Sequence, residues 1–167
     1  MRFAASILAV LMLLAVGATV LPSAASAASP RLDRTERNIV RAINHRRARA
    51  GLAAVRAGAA LNRAADYHSR EMAYGNFFAH TSRNGGSMAS RVRHFDNARA
   101  VGETLAMLGG GCRRHMAARV VNMWMHSGPH RAVLLSGSFR RIGVARRGGR
   151  LAGQKACMVT ADVASRR

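Results

Sequence analysis

Helical and extended periodicities are segregated along this chain, and that order limits the folds open to it. Asp33-x-x-Glu36 resembles a capping box opening a helix, with Ile39, Val40 and Ile43 as the buried stripe. Gly51 is placed to end that helix, and Arg46, Arg47 and Arg49 suit the negative pole of its dipole. A second helix is predicted from about Ala59 to Tyr74, closed by Gly75, with Leu61, Ala64, Ala65, His68 and Met72 at helical spacing. His68 and Met72 read as core positions. NFFAHTSRNGG then reads as a loop, and a short helical piece follows around Met88 to His94. VGETLAML, residues 101 to 108, has little helical character and suits an extended segment. After GGGC a third amphipathic helix is predicted from about Arg113 to Met125, burying Met116, Val120, Met123 and Trp124. Only then come two strand-like runs, RIGVAR and KACMVTADVA, around the turn-rich RRGGRLAGQ. With no internal repeat and no long linker, helices first and strands late predict one α+β sandwich with an antiparallel sheet.

The N-terminus is set apart from this domain. Arg2 precedes a charge-free apolar run, and Pro22 and SAASAAS follow, with Ala25 and Ala27 fitting an A-x-A cleavage pattern. Residues 1–27 are expected to be a secretory signal peptide, 28–34 a short leader and 35–167 the folded domain. The alternative for the first segment is an uncleaved anchor, since about 18 apolar residues just span a bilayer. No later segment is apolar enough to cross a membrane, so a secreted protein, extracellular or held in the cell envelope, is expected.

Charge and cysteines fit that setting. The formal net charge is +20, nearly all arginine, because Lys155 is the only lysine. Such an excess favours anionic surfaces such as phospholipid headgroups or wall polymers. The arginines are scattered rather than gathered on one helix face, so codon usage explains them equally well, and no specific nucleic-acid partner is expected. A monomer is the default expectation. Cys112 and Cys157 form an even pair, which in an oxidising compartment reads as a disulfide.

NMWMHSGPHRAVLL, Asn122 to Leu135, is the stretch richest in chemical candidates. A zinc-protease helix needs H-E-x-x-H without interruption, but Gly128 and Pro129 lie between His126 and His130 and no glutamate is present. Ser127 lacks the G-x-S-x-G frame of a nucleophile elbow. A set assembled from separate segments remains: His80 in the polar loop, Glu103 among apolar residues, and His130 beyond the Gly-Pro turn. A carboxylate in apolar surroundings usually has a partner, and two histidines with a glutamate are a plausible divalent-metal set.

In order along the chain, IVRAINHRRARAGL, LNRAADYHSREMAYGNFFAHTS, GETLA, WMHSGPHRAVLL and FRRIGVA resemble the CAP superfamily, the SCP-domain proteins. That group comprises the cysteine-rich secretory, antigen 5 and pathogenesis-related 1 proteins, and the likeness is to its short secreted bacterial branch. It covers about residues 36 to 163. The resemblance implies a three-layer α-β-α sandwich with a small central antiparallel sheet. It also implies a cleft of two histidines and two acids that in several members binds a divalent metal such as zinc. Carried over, the cleft residues are His80, Glu103, Ser127 and His130, of which His80, Glu103 and His130 are also the metal candidates. Ser127 stands where the eukaryotic branch has the second acid, leaving a triad. Thr104 replaces the usual asparagine after the glutamate, which bears on how the carboxylate is oriented. Gly128-Pro129 inverts the usual Pro-Gly. Arg91 occupies a position often held by arginine and reads as structural.

Three functions stay open. The first is non-catalytic binding of a lipidic or anionic envelope component in the cleft. The second is a metal-assisted hydrolase in which His80 or His130 is the general base and Glu103 orients it or holds metal. The third is a basic envelope-binding protein with an idle cleft, in which Arg131 pairs with a surface carboxylate and backbone amides hold Glu103.

Overall fold

The computed structural model describes residues 31–166. The expected signal segment and residues 28–30 of the expected leader lie outside the described residues. Asp33, within that leader, already caps the first helix. Its carboxylate accepts from the Glu36 amide at 2.8 Å while the Glu36 side chain accepts from the Asp33 amide at 2.7 Å, completing the capping box.

The described elements are α1 (Arg34–Arg49), β1 (Arg56–Ala57), α2 (Ala59–Gly75), α3 (Met88–Phe95), β2 (Val101–Gly109), α4 (Ala117–His126), α5 (Gly128–Leu134), β3 (Arg141–Leu151) and β4 (Gln154–Ala164). The strands form one sheet in the order β1-β3-β4-β2. β2–β4 and β3–β4 pair antiparallel, and only the two-residue β1 lies parallel to its neighbour, β3.

Alternation along β4 sorts the side chains into two layers. Cys157, Val159, Ala161 and Val163 face a core built with Ile39 and Ile43 of α1, Val120 and Trp124 of α4, and Leu134 of α5. Met158 and Ala164 face the other way, into clusters with Leu61, Ala64 and Met72 of α2 and Val92 of α3. The sheet is therefore covered on both sides, and the α-β-α sandwich is the observed architecture. Helix α2 rests directly on β3 because two positions there lack a side chain. A Cβ on Gly143 would lie 2.0 Å from the Leu61 carbonyl carbon, and one on Gly149 would lie 2.2 Å from the Ala73 oxygen. The Cys112–Cys157 disulfide, with Cα atoms 4.7 Å apart, ties the segment before α4 to β4. Buried Arg47 donates to the carbonyls of Ala53, Leu134, Ser136 and Phe139, fastening the end of α1 to the chain between α5 and β3.

Four local expectations are corrected. Helix α4 begins at Ala117 rather than near Arg113, and Met123 is 42% exposed while Val121 is buried. The Gly-Pro step is not a plain turn: Pro129 occupies the first turn of α5, where its missing N–H has no helical partner to lose. RRGGRL continues β3, and the hairpin turns on Ala152 and Gly153, with φ of 47° and 79°. The extended reading of residues 101–108 holds, as β2, an edge strand.

Candidate functional site

The site is built on β2, against which both α3 and α5 pack. Glu103 sits on this strand with its side chain wholly buried, so each carboxylate oxygen needs a donor. His80 Nδ1 lies 2.7 Å from Oε1, and the buried Arg91 guanidinium of α3 pairs with Oε2. Because a carboxylate only accepts, His80 Nδ1–H donates, which leaves Nε2 as the ring nitrogen not used in this contact. The His80 side chain is 53% exposed. One buried carboxylate thus fixes a half-exposed imidazole through Nδ1, and Nε2 has no hydrogen-bond partner among the described residues.

The loop carrying His80 is staked from several sides. Arg91 donates to the His80 carbonyl at 3.0 Å and to Ser82 Oγ at 2.8 Å. His68, buried on α2, holds the Ala79 carbonyl through Nε2 at 2.8 Å and Glu71 through Nδ1 at 2.9 Å. Glu71 in turn accepts from the Arg83 amide at 2.8 Å. His68 is therefore a core histidine, as its helical spacing suggested, and it also braces the site loop.

His130 enters from the first turn of α5 and is partly buried. Its pKa is lowered, first by burial and then by the positive charge of His80, so the two imidazoles are electrostatic neighbours. His130 has no hydrogen-bond partner among the described residues, and its ring is not anchored as that of His80 is. Ser127 joins α4 to α5, and its side chain makes no capping bond. His126 ends α4, exposed, with Nδ1 2.8 Å from the Asn122 carbonyl.

Two sequence-based alternatives fail here. Glu103 is held by Arg91 and His80 rather than by backbone amides, and exposed Arg131 pairs with no carboxylate among the described residues. Thr104 does not orient the carboxylate: it alternates to the opposite face of β2, where its buried hydroxyl has no partner.

The structure adds a residue that the sequence reading missed. Asp162 on β4 is directly cross-strand from Glu103, fully buried, and neither of its oxygens meets a hydrogen-bond donor. Burial, then the Glu103 charge, push its pKa well above the usual carboxylate range, and the charge of Arg91 only partly offsets them. Protonation of Asp162 is the change that gives this buried carboxyl pair a donor of its own. For Glu103 burial also pulls upward, but the His80 hydrogen bond and the charges of Arg91 and His68 outweigh it and leave its pKa below the ordinary value. The two shifts run in opposite directions, Glu103 down and Asp162 up, and Arg91 is paired with Glu103. The sequence did offer a signal, since Asp162 is the lone charge in the apolar run ACMVTADVA, the reasoning that singled out Glu103.

These residues do not suit the metal centre that the resemblance implied. Both Glu103 oxygens are already engaged, and a cation bound there would displace a buried guanidinium. Among the described residues no three His, Cys, Asp or Glu side chains stand together as a metal-holding group.

Comparison with known proteins agrees with this architecture. The family profile described as the cysteine-rich secretory protein family (CAP) matches residues 40–155. No curated protein matches significantly. Among solved structures, an outer surface protein from Borrelia burgdorferi superposes with a TM-score of 0.66 at 20% identity, over 83% of this chain and 99% of its own. An extracellular protein containing an SCP domain from Bacillus anthracis gives 0.64 at 21% identity, over 83% of this chain and 45% of its own. A Staphylococcus aureus cysteine-rich secretory protein gives 0.55 at 13% identity, over 79% and 39%. At these identities the likeness is one of fold. With the profile spanning more than half of its length, the chain belongs to the CAP family of cysteine-rich secretory proteins.

Proposed function

We propose that this protein is a secreted, non-catalytic binding domain that captures an anionic component of the cell envelope at the His80–His130 cleft. The observation that carries the reading is the division of labour at β2. Glu103 is buried and fully engaged, whereas His80 is half-exposed and held in one orientation by it. A carboxylate locked between a guanidinium and an imidazole is poorly placed to act as base or metal ligand, but it is well placed to preorganise a hydrogen-bonding ring. Both cysteines are consumed in the disulfide, which removes thiol chemistry among the described residues. The formal charge of +20 favours anionic partners and speeds their encounter. No helix among the described residues is long and apolar enough to cross a membrane, and two of the similar structures are named as extracellular or outer surface proteins. The test is saturable binding to an isolated envelope fraction, compared between the parent and a His80→Ala/His130→Ala variant.

A further inference from the structure

A second site lies where the ends of α1 and α4 meet α5, with no residue of the cleft in its walls. A cavity of about 390 Å³ is lined by Arg46 and Arg49 at the end of α1, by Met125 and His126 at the end of α4, and by Arg131 of α5. Three guanidiniums and an imidazole share it, and no carboxylate lines it.

Basic residues at a helix C-terminus often serve the carbonyls there, but this end of α1 is otherwise satisfied. The Arg46, Arg47 and Ala48 carbonyls accept from the amides of Ala50, Gly51 and Leu52. Arg46 donates to Asn122 Oδ1 at 2.8 Å, and the side chains of Arg49 and Arg131 make no hydrogen bond or ion pair among the described residues. Nor is a side-chain counter-charge free elsewhere among the described residues. It has seven Asp and Glu side chains, all among the described residues. Asp33 pairs with Arg146, Asp66 with Arg70 and Arg147, Glu71 with His68, Asp96 with Arg141, and Glu103 with Arg91 and His80. Glu36 is engaged in the capping box and by the Arg146 amide, and Asp162 is buried against Glu103. Among the described residues, therefore, no side-chain carboxylate is free to neutralise the guanidiniums of this cavity.

We infer that this cavity binds a phosphate ester, with Arg46, Arg49 and Arg131 converging on its oxygens. Guanidiniums arriving from two helices suit a tetrahedral anion with several acceptor oxygens better than a two-oxygen carboxylate. The volume exceeds that of a bare phosphate, and Met125 and Leu135 offer an apolar wall to the attached alcohol. The site needs neither His80 nor Glu103, so it stands or falls apart from the cleft reading.

The experiment is calorimetric titration of the protein with sn-glycerol 3-phosphate, inorganic phosphate and acetate at low salt. Vesicles of phosphatidylglycerol form a further arm. The expected result is saturable binding of both phosphates, weakened by salt and absent for acetate. Binding should fall about tenfold or more for each guanidinium removed in Arg49→Gln and Arg131→Gln, at unchanged melting temperature, because both side chains are exposed. It should persist in His80→Ala/His130→Ala. Binding of vesicles that tracks the same two arginines assigns the phosphate to a lipid headgroup; binding of the soluble ester alone assigns it to a soluble or polymeric source. No saturable phosphate binding, equal binding of acetate, or binding indifferent to both substitutions overturns the inference.

Discussion

Arg91→Met tests the architecture of the site most sharply, because it removes a charge from a contact that excludes water. Arg91 and Glu103 are both buried, at 3% and 0% side-chain exposure, so the pair is little screened by solvent. Breaking a buried pair by deleting one partner costs about 3–5 kcal/mol, since the other charge is left uncompensated. The same change removes the hydrogen bonds from Arg91 to the His80 carbonyl and Ser82 Oγ, and so loosens the site loop. For a domain of this size the melting temperature should fall by about 10 °C. Urea unfolding of the parent, Arg91→Met, Glu103→Gln and the double variant then isolates the pair. Once Glu103 is the uncharged glutamine, Arg91→Met should cost much less, giving a coupling of about 2 kcal/mol or more. The pH dependence has a fixed sign. The folded pKa of Glu103 lies below its ordinary 4.5, so the stability it contributes is present above that value and is lost as pH falls through the folded pKa. The cost of Arg91→Met should accordingly be greatest near neutrality and shrink in acid. A cost below about 1 kcal/mol, or one independent of pH, would refute the reasoning.

Three further outcomes are expected. Asp162 behaves oppositely to Glu103: its folded pKa is raised, so its contribution is fullest below the ordinary 3.8 and is lost as pH rises through the folded value. Asp162→Asn keeps a donor for Glu103 and removes that loss, so it should stabilise the protein near neutral pH, with a gain in thermal melts that is absent in acid and grows as pH rises from the ordinary 3.8 through the folded value. Replacing Cys112 and Cys157 with serine should cost about 4 kcal/mol, from a loop whose ends are 45 residues apart, read as a lower urea midpoint. Zinc should leave the melting temperature of the parent unchanged; a rise that His80→Ala/His130→Ala abolishes would restore the metal reading.

What was legible in the sequence was mostly local. The capping box at Asp33 and Glu36 and the stripe Leu61, Ala64, Ala65, His68 and Met72 depend on contacts within one helix, and both stand in the structure. The disulfide needed only the count of cysteines and their expected compartment. Asp162 was missed because its meaning lies in the β2–β4 register, which brings two residues 59 positions apart face to face (162 less 103). Arg91 was read as structural, which is correct, but its grip on Glu103 and on the His80 loop is likewise non-local. α5 is illegible for a different reason: Gly-Pro reads as a turn, although proline in a first turn also starts a helix. Spacing places Met123 in the core, yet the buried face of α4 runs through Ala117, Val120, Val121 and Trp124.

The central claim is that Glu103 preorganises His80, beside His130, to hold an envelope ligand, and binding by the cleft variant tests it most directly. The parent protein should bind an isolated envelope fraction saturably, and the binding should weaken as salt rises. With the second anion site removed by Arg49→Gln/Arg131→Gln in both proteins compared, His80→Ala/His130→Ala, with unchanged circular dichroism and melting temperature, should bind about tenfold or more weakly. Equal affinity for parent and variant would contradict the account and leave the cleft without a role in binding.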